Sequence, residues 1–246
     1  MKWKDKVKKM NEKEDVKRKV AIESVKLVKD GQIVGLGTGS TAKYMIDELG
    51  RRVREEGLQI LGVPTSLWTS KRAKKNKIQL TTLDEHPKLD IAIDGADQVD
   101  PELNLIKGLG GALTREKIID TAAEKLVIII DESKLVEKLG VNQVVPIEII
   151  PIALAPVIEK IRKLGGKPKV RSIKDNGDLF ITDNGNYIVD AAFGVITNGK
   201  ILETKINMIP GVVENGLFID VTTTVFVGYN NKIDRIEKNN IVMEQI

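Results

Sequence analysis

The sequence predicts an α/β fold: an open, mostly parallel sheet with helices on both faces, joined to a smaller α+β region. Two observations lead to this prediction. In the first half of the chain, short apolar runs typical of buried parallel strands alternate with segments of helical spacing. After about Gly140 the order becomes β-α-β-β-α-β with shorter segments, which is typical of a split βαβ unit.

The elements of the first half alternate in type along the chain. Apolar residues recur at helical spacing from Val16 to Val28. Four apolar runs then predict buried strands: 33–36, 60–63, 89–93 and 126–130. Helical stripes lie between them at 42–49 and 113–125. Because strands alternate with helices, we expect a Rossmann-like sheet that is covered on both faces.

The second half predicts a smaller, ferredoxin-like domain over residues 144–211. Its longer elements are a strand at 144–150 and helices at 154–164 and 202–209. Asn-Gly pairs predict turns within 175–178 and 183–186. We expect this domain to take part in contacts between copies of the chain.

The larger, Rossmann-like domain is predicted to comprise residues 1–143 and 212–246. Two apolar segments lie beyond the smaller domain, at 216–220 and 225–228. We expect both of them to return to the first sheet.

The amino-acid composition excludes several kinds of catalytic chemistry. The 246 residues carry a net charge of +4, yet aromatic residues make up only 4%. Nucleic-acid binders usually combine such charge with aromatic side chains, and a small phosphorylated substrate explains the charge equally well. The absence of cysteine excludes disulfides and thiol nucleophiles. The one histidine, His86, lies in a predicted turn, so acid–base chemistry falls to carboxylates and lysines.

The chain shows no sign of a membrane segment. Its amino terminus is charged, and no stretch approaches the ~20 apolar residues of a spanning helix. We expect a cytoplasmic protein with neither a membrane nor a nucleic acid as partner.

Each of the four predicted strands ends in polar or glycine residues. These strand tips are Gly37–Thr41, Pro64–Ser66, Asp94–Asp97 and Asp131–Lys134. In open α/β sheets, ligands bind outside the carboxyl ends of the strands. If the four strands are parallel neighbours, their tips converge on one crevice.

The first tip contains Thr38, Gly39, Ser40 and Thr41 and precedes a predicted helix. Free N–H groups at a helix N-terminus attract anions, and Ser40 or Thr41 could cap that helix. We expect phosphate binding here, although a strand–helix turn that binds nothing has the same pattern. The spacing differs from the G-x-G-x-x-G of dinucleotide sites.

Asp94 and Asp97 flank Gly95 and Ala96 directly after a buried strand. Aspartates in such places often only cap a turn or helix. Magnesium is another alternative, because paired carboxylates suit hard cations. As functional groups they would hold sugar hydroxyls and move protons during ring opening, since two close carboxylates can split their pKa values.

Lys107 opens the glycine-rich turn Gly108–Gly111. Most lysines are solvated surface groups. Beside this turn, however, the ammonium and the backbone N–H groups can approach the same oxyanion. Lys134 follows the fourth strand and is either part of the strand tips or a surface charge.

Glu116 lies in a predicted first helical turn, with Thr114 as the expected N-cap. Spacing alone favours a glutamate that merely complements the helix dipole. The dipole, Arg115 and Lys117 would also keep this carboxyl ionised, as a general base requires.

Taken together, these motifs resemble ribose-5-phosphate isomerase of the A type. The matching segments are Gly37–Thr41, Asp94–Asp97, Lys107–Lys117, Asp131–Lys134, Pro146–Pro151, Leu164–Gly166 and Thr182–Asn186. Each is short, but their order and spacing are collinear over nearly the whole chain. The resemblance implies a reversible exchange of D-ribose 5-phosphate and D-ribulose 5-phosphate that needs no metal and no organic cofactor.

The resemblance also implies roles for individual residues. Glu116 would be the base that moves a proton between C2 and C1 through an enediolate, and Asp94, Asp97 and Lys107 would open the ring and orient the sugar. The implied substrate contacts are Thr38, Gly39, Ser40, Thr41, Gly95, Ala96, Gly108, Leu109, Gly110 and Lys134. Leu109 stands where the family often has glycine, so its side chain must point away from the substrate. Lys17 is a candidate second phosphate contact.

Two alternative functions remain at this stage. A related acyl or coenzyme A transferase would use the glutamate as a nucleophile. A non-catalytic sugar-phosphate sensor would need a DNA-binding module, and the chain offers no separate helix-turn-helix candidate. Because the family is commonly dimeric or tetrameric, the resemblance implies a homodimer or homotetramer.

Overall fold

The computed structural model describes residues 3–173, 177–238 and 240–245. The helices within these ranges are α1 (Trp3–Val25), α2 (Ala42–Glu55), α3 (Leu67–Lys75), α4 (Leu113–Thr121), α5 (Leu154–Lys163) and α6 (Gly199–Asn207). The strands are β1 (Ile33–Leu36), β2 (Leu61–Pro64), β3 (Gln79–Leu80), β4 (Ile91–Asp94), β5 (Gln98–Val99), β6 (Leu105–Ile106), β7 (Leu126–Asp131), β8 (Val145–Ile149), β9 (Lys167–Val170), β10 (Tyr187–Ala192), β11 (Val212–Asn215), β12 (Leu217–Phe218), β13 (Thr224–Gly228), β14 (Ile233–Glu237) and β15 (Asn240–Gln245). None of the described helices combines the length and the apolar character needed to cross a bilayer.

The chain forms two compact units. The first comprises Met1–Gly95, Ile118–Leu135 and Val221–Ile246, and the second comprises Ala96–Lys117 and Val136–Asp220. Segment 96–117 therefore packs with the second unit, although the sequence analysis places it in the larger domain. The domain boundaries drawn from the sequence stay a prediction.

The first unit is built on an eight-stranded sheet with the order β15-β14-β13-β7-β4-β1-β2-β3. The pairs from β13 to β3 are parallel, and β14 and β15 add antiparallel pairs at one edge. This arrangement confirms the predicted α/β fold. The four strands predicted first, β7, β4, β1 and β2, are neighbours in this order, so their carboxyl ends share one edge of the sheet.

Apolar side chains cover both faces of this sheet. On one face, Leu49 of α2 and Val20 of α1 belong to the same buried cluster as Val34 of β1. On the other face, Ile119 of α4 packs with Ile33, the neighbour of Val34 in the strand. Because successive strand residues point to opposite faces, burial of both faces explains the continuous apolar runs in the sequence.

The second unit contains a four-stranded antiparallel sheet with the order β11-β8-β10-β9. Its elements follow the order β8-α5-β9-β10-α6-β11, which confirms the predicted β-α-β-β-α-β arrangement. Ile161 of α5 and Ile206 of α6 are completely buried in one cluster with Ile147 of β8. The apolar stripes of these helices are therefore the contacts that hold the unit together.

The prediction that residues 216–220 return to the first sheet is wrong. Leu217 and Phe218 form β12, which pairs with β6 in a separate three-stranded sheet of order β12-β6-β5. Both strands have only two residues, too few for a periodic pattern to show their partner. The companion prediction is confirmed, because residues 225–228 lie in β13 beside β7.

Of the two predicted Asn-Gly turns, the one at 183–186 is confirmed. Gly185 has a φ of +79° and its N–H donates to the carbonyl of Thr182 at 3.0 Å. Glycine suits this position because it adopts a positive φ without steric cost. The other turn, at 175–178, falls largely on residues 174–176, which lie outside the described ranges.

Candidate active site

In the first unit, the carboxylate of Asp94 is fixed against the turn that follows β1. The backbone N–H groups of Thr38 and Gly95 donate to Asp94 Oδ1 at 3.0 and 2.7 Å. Asp94 is completely buried. At Gly37, an added Cβ would lie 2.2 Å from the same Oδ1 atom, so only glycine allows this approach.

A cluster of hydroxyl groups holds the same turn from the side of β2 and α3. The hydroxyl of Thr38 lies 2.7 to 2.9 Å from the hydroxyls of Thr65, Ser66 and Thr69. Ser66 caps α3 by accepting from the N–H of Thr69 at 3.0 Å. Thr69 was not predicted from the sequence, because a capping box has Glu or Gln three residues after the serine and this chain has threonine there.

The segment Thr38–Thr41 ends at the start of α2. Gly39 has a φ of +134° and open space where a side chain would lie, and Ser40 is exposed. Thr41 occupies the N-cap position, but its side chain makes no capping hydrogen bond. The prediction that Ser40 or Thr41 caps α2 is therefore wrong. The first turn of α2 contains no acidic residue, so the helix dipole there is not neutralised by its own first turn.

Lys17 belongs to an ionic cluster beside the start of α2. Its Nζ atom lies 2.8 Å from Glu14 Oε1, and Lys43 Nζ lies 2.7 Å from Glu14 Oε2. The hydroxyl of Tyr44 donates to Oε2 at 2.6 Å. Hydrogen bonds from Lys17, then Lys43, then Tyr44 lower the pKa of Glu14 from 4.5 to about 2. Glu14 thus fixes Lys17 and a lysine of the first α2 turn as neighbours.

The end of β7 carries Asp131 and Lys134. Asp131 is buried and caps a short 3-10 helix, Glu132–Lys134, by accepting from the N–H of Ser133 at 3.1 Å. Its carboxylate also lies 3.7 Å from Lys13 Nζ. Lys134 is half-buried in this short helix. The strand therefore ends in a rigid turn that holds Lys134 at the same edge as the other strand tips.

In the second unit, Lys107 and Glu116 form a buried ion pair. Lys107 Nζ lies 3.7 Å from Glu116 Oε1, and the two residues are 2% and 5% exposed. The ammonium also lies 5.3 Å from the centre of the Phe218 ring, and that of Lys117 lies 4.9 Å from it. Burial shields both charged groups of this pair from solvent, which strengthens their electrostatic interaction.

Helix α4 begins at Leu113, so Glu116 lies in its first turn as predicted. The prediction that Thr114 is the N-cap is wrong, because this threonine lies inside the helix. Its hydroxyl donates instead to Glu148 at 2.5 Å. The observed helix starts two residues earlier than an N-cap at Thr114 predicts, a shift below what sequence patterns resolve.

The glycine-rich turn is held by both a carboxylate and a guanidinium. The N–H of Leu109 donates to Asp97 Oδ2 at 3.0 Å, and Arg171 Nη1 donates to the carbonyls of Gly108 and Leu109 at 3.1 and 2.9 Å. Leu109 is 39% exposed. The N–H of Leu109 is thus used within the protein, which leaves Lys107 as the better-placed charge for an oxyanion. Arg171 lies about 60 residues away in the sequence, and no local pattern connects it with this turn.

Positive φ angles occur at both ends of this turn, +95° at Gly108 and +86° at Gly111. At Gly111 an added Cβ would also lie 2.4 Å from the Phe180 ring. Gly110 has open space around its Cα. Two of the three glycines are therefore required by the backbone path.

Among the described residues, no group of three or more His, Cys, Asp or Glu side chains is arranged to hold a metal ion. Each aspartate instead accepts backbone hydrogen bonds: Asp94 from Thr38 and Gly95, and Asp97 from Leu109. Backbone N–H groups therefore hold the carboxylates of both aspartates in fixed positions.

Within the second unit, the buried pair of Glu116 and Lys107 has the chemistry of an enzyme that moves protons with a carboxylate. Comparisons with known proteins identify the family. A family model for ribose 5-phosphate isomerase A (phosphoriboisomerase A) matches residues 61–232. A ribose-5-phosphate isomerase A from Methanothermobacter thermautotrophicus is 50% identical over 214 residues, 87% of this chain and 94% of that protein. One from Methanosarcina acetivorans is 53% identical over 207 residues, 84% of this chain and 87% of that protein.

Solved structures of ribose-5-phosphate isomerases are also similar to this chain. Ribose 5-phosphate isomerase A from Methanocaldococcus jannaschii matches with a TM-score of 0.88 and 48% identity, over 92% of this chain and 99% of that one. A D-ribose-5-phosphate isomerase in complex with phospho-erythronic acid matches with a TM-score of 0.89 and 42% identity, over 91% and 98%. The chain belongs to the ribose 5-phosphate isomerase A family. It is an isomerase, and the resemblance drawn from the motifs is confirmed.

Proposed function

We propose that this chain interconverts D-ribose 5-phosphate and D-ribulose 5-phosphate, with Glu116 as the base that carries a proton between C2 and C1 through an enediolate. The observation that carries this proposal is the buried pair of Glu116 and Lys107, 3.7 Å apart. A carboxylate can take the proton from carbon while a fixed ammonium stabilises the charge that develops on the neighbouring oxygen.

Asp94 and Asp97 serve ring opening and the orientation of the sugar. Both carboxylates are fixed by backbone N–H groups, at 2.7 Å from Gly95 for Asp94 and at 3.0 Å from Leu109 for Asp97. Fixed acceptors hold sugar hydroxyls in one geometry, which lowers the entropy cost of reaching the transition state.

The remaining substrate contacts comprise a phosphate-binding turn and a set of residues that surround the sugar. The turn from Thr38 to Thr41 binds the phosphate, with N–H groups at the start of α2 as donors and Lys17 as a nearby cation. Gly95, Ala96, Gly108, Leu109, Gly110 and Lys134 complete the set of substrate contacts. The complex of a family member with phospho-erythronic acid supports a sugar phosphate as the ligand, because phospho-erythronic acid is a phosphorylated sugar acid.

The variant Glu116→Gln tests the proposal. The amide keeps the shape of the side chain but cannot act as a base, so turnover of ribose 5-phosphate should fall by at least about 10³-fold, while phospho-erythronic acid still binds within a few-fold of the wild-type affinity. Glu137→Gln is the control, since Glu137 is an exposed carboxylate of the same unit. Near-normal turnover by Glu116→Gln would remove Glu116 from the role of base.

Three features of the proposal concern the protein as a whole. We expect a homodimer or homotetramer, activity without metal or organic cofactor, and a cytoplasmic location. Sedimentation velocity gives the oligomeric state, and an assay in metal-free buffer tests the cofactor requirement.

A further inference from the structure

Glu148 is a completely buried carboxylate, the last residue but one of β8. Four side-chain groups donate to it: Thr114 Oγ1 to Oε2 at 2.5 Å, and Thr182 Oγ1, Asn184 Nδ2 and Asn186 Nδ2 to Oε1 at 2.9, 3.0 and 2.8 Å. A carboxylate is expensive to bury unless hydrogen bonds satisfy it. The four donors satisfy this carboxylate and form a buried hydrogen-bond network around it.

The network joins two segments that are far apart in sequence. Thr114 lies in the first turn of α4, two residues before Glu116. The other three donors lie in one turn, Thr182–Asn186. That turn is internally braced, because Thr182 Oγ1 also accepts from the N–H groups of Asn184 and Asn186 at 3.2 and 3.1 Å. Glu148 therefore ties the start of α4 to a rigid turn and to a central strand.

Arg115 also donates hydrogen bonds to the turn Thr182–Asn186. Its Nε atom donates to Asn184 Oδ1 at 2.7 Å, and its Nη2 atom donates to the carbonyl of Asp183 at 3.0 Å. On the other side of Glu116, Lys117 is held by Glu203 and Glu214, each at 2.9 Å. The residues directly before and after the proposed base are thus each anchored to a different part of the second unit.

We propose that Glu148 is a positioning residue, which acts through Thr114 to hold the first turn of α4 where Glu116 meets its substrate; this rests on the proposed role of Glu116 as base. A displacement of about 1 Å at a catalytic group can cost about 10²-fold in rate, so an anchor on a central strand has a direct catalytic consequence.

The variant Thr114→Val tests this proposal, because it removes the hydroxyl donor without changing the volume of the side chain. We expect kcat to fall by about tenfold or more with KM little changed, the pattern of an interaction that matters in the transition state. Thr114→Ser, which keeps the hydroxyl, should restore kcat. Glu148→Gln, which weakens the link from the strand side, should lower kcat in the same way.

Thr81→Val is the control. Thr81 is buried, like Thr114, and its hydroxyl donates to a glutamate, Glu85 Oε2, at 2.6 Å in the first unit. Because Glu85 is exposed whereas Glu148 is buried, this variant should lose less stability than Thr114→Val, and its kcat should stay at the wild-type value.

The outcomes separate this proposal from the assignment of the base. An inactive Glu116→Gln with a normal kcat in Thr114→Val would overturn the role of Glu148 alone. Equal losses of kcat in Thr114→Val and Thr81→Val would show that removal of any buried threonine hydroxyl has this effect, and would also overturn it. An active Glu116→Gln would instead overturn the proposed function.

Discussion

The variant Gly37→Ala should damage the active site through one added methyl group. That Cβ would lie 2.2 Å from Asp94 Oδ1, 2.4 Å from its Cγ and 2.6 Å from its Cα. Because ordinary contacts are near 3.5 Å, the carboxylate would have to move by about 1 Å. The movement strains the hydrogen bonds from Thr38 and Gly95, and we expect a loss of about 2–4 kcal/mol of stability from overpacking and weakened bonds.

The catalytic effect should exceed what the lost stability explains. A shift of about 1 Å in a group that orients the substrate corresponds to a loss of about 10²-fold in kcat. A coupled assay measures the turnover of ribose 5-phosphate at a temperature where the variant is folded. Urea unfolding measures the loss in free energy of unfolding. Gly35→Ala is the control, since its Cβ would lie 2.7 Å from that of Ala92 in the same sheet. It should lose stability but keep kcat.

Two results would refute this reasoning. One is a Gly37→Ala variant with wild-type kcat, which would mean that the position of Asp94 does not matter for turnover. The other is an equal loss of kcat in Gly35→Ala, which would mean that a general loosening of β1 explains the effect.

Three further predictions concern acid stability, metal and the hydroxyl cluster. The pKa of Glu14 is about 2 in the folded protein against 4.5 ordinarily, so its contribution is complete above pH 4.5 and is lost as pH falls through 2. Its side chain is 41% exposed, so solvent screening reduces the contribution to about 1 kcal/mol. The free energy of unfolding of Glu14→Gln should therefore fall less between pH 4.5 and pH 2 than that of the wild-type protein. Dialysis against a chelator should leave activity unchanged, whereas a loss that magnesium restores would favour a metal at Asp94 and Asp97. Thr38→Val should raise KM and lower stability by ~1–3 kcal/mol, because it leaves buried hydroxyls without their shared partner; an unchanged KM would contradict a role of this cluster in holding the phosphate turn.

The parallel sheet was predictable because its physical cause is local. Every residue of β4 and β7 is buried, so the sequence there is a continuous apolar run that periodicity detects. The positions of the strand tips follow from the strand order. Lys107 and Glu116 could be named because their types and spacing stand within one short motif.

The partners of these residues were not predictable, because they come from distant segments. Arg171 holds the carbonyl of Gly108 across 63 residues, and Glu148 accepts from Thr114 across 34. Phe218 belongs to a two-residue strand whose pairing has no periodic signal. Local patterns show which side chains carry chemistry, whereas the contacts that fix them arise only when the chain is folded.

The central claim is that Glu116 carries the proton between two carbons of the sugar. Turnover of ribose 5-phosphate in D₂O tests it most directly, with NMR detection of deuterium at the carbons that exchange. We expect the wild-type protein to place solvent deuterium in ribulose 5-phosphate, and Glu116→Gln to bind the sugar phosphate without any such incorporation. Deuterium incorporation by Glu116→Gln at the wild-type rate would contradict the claim.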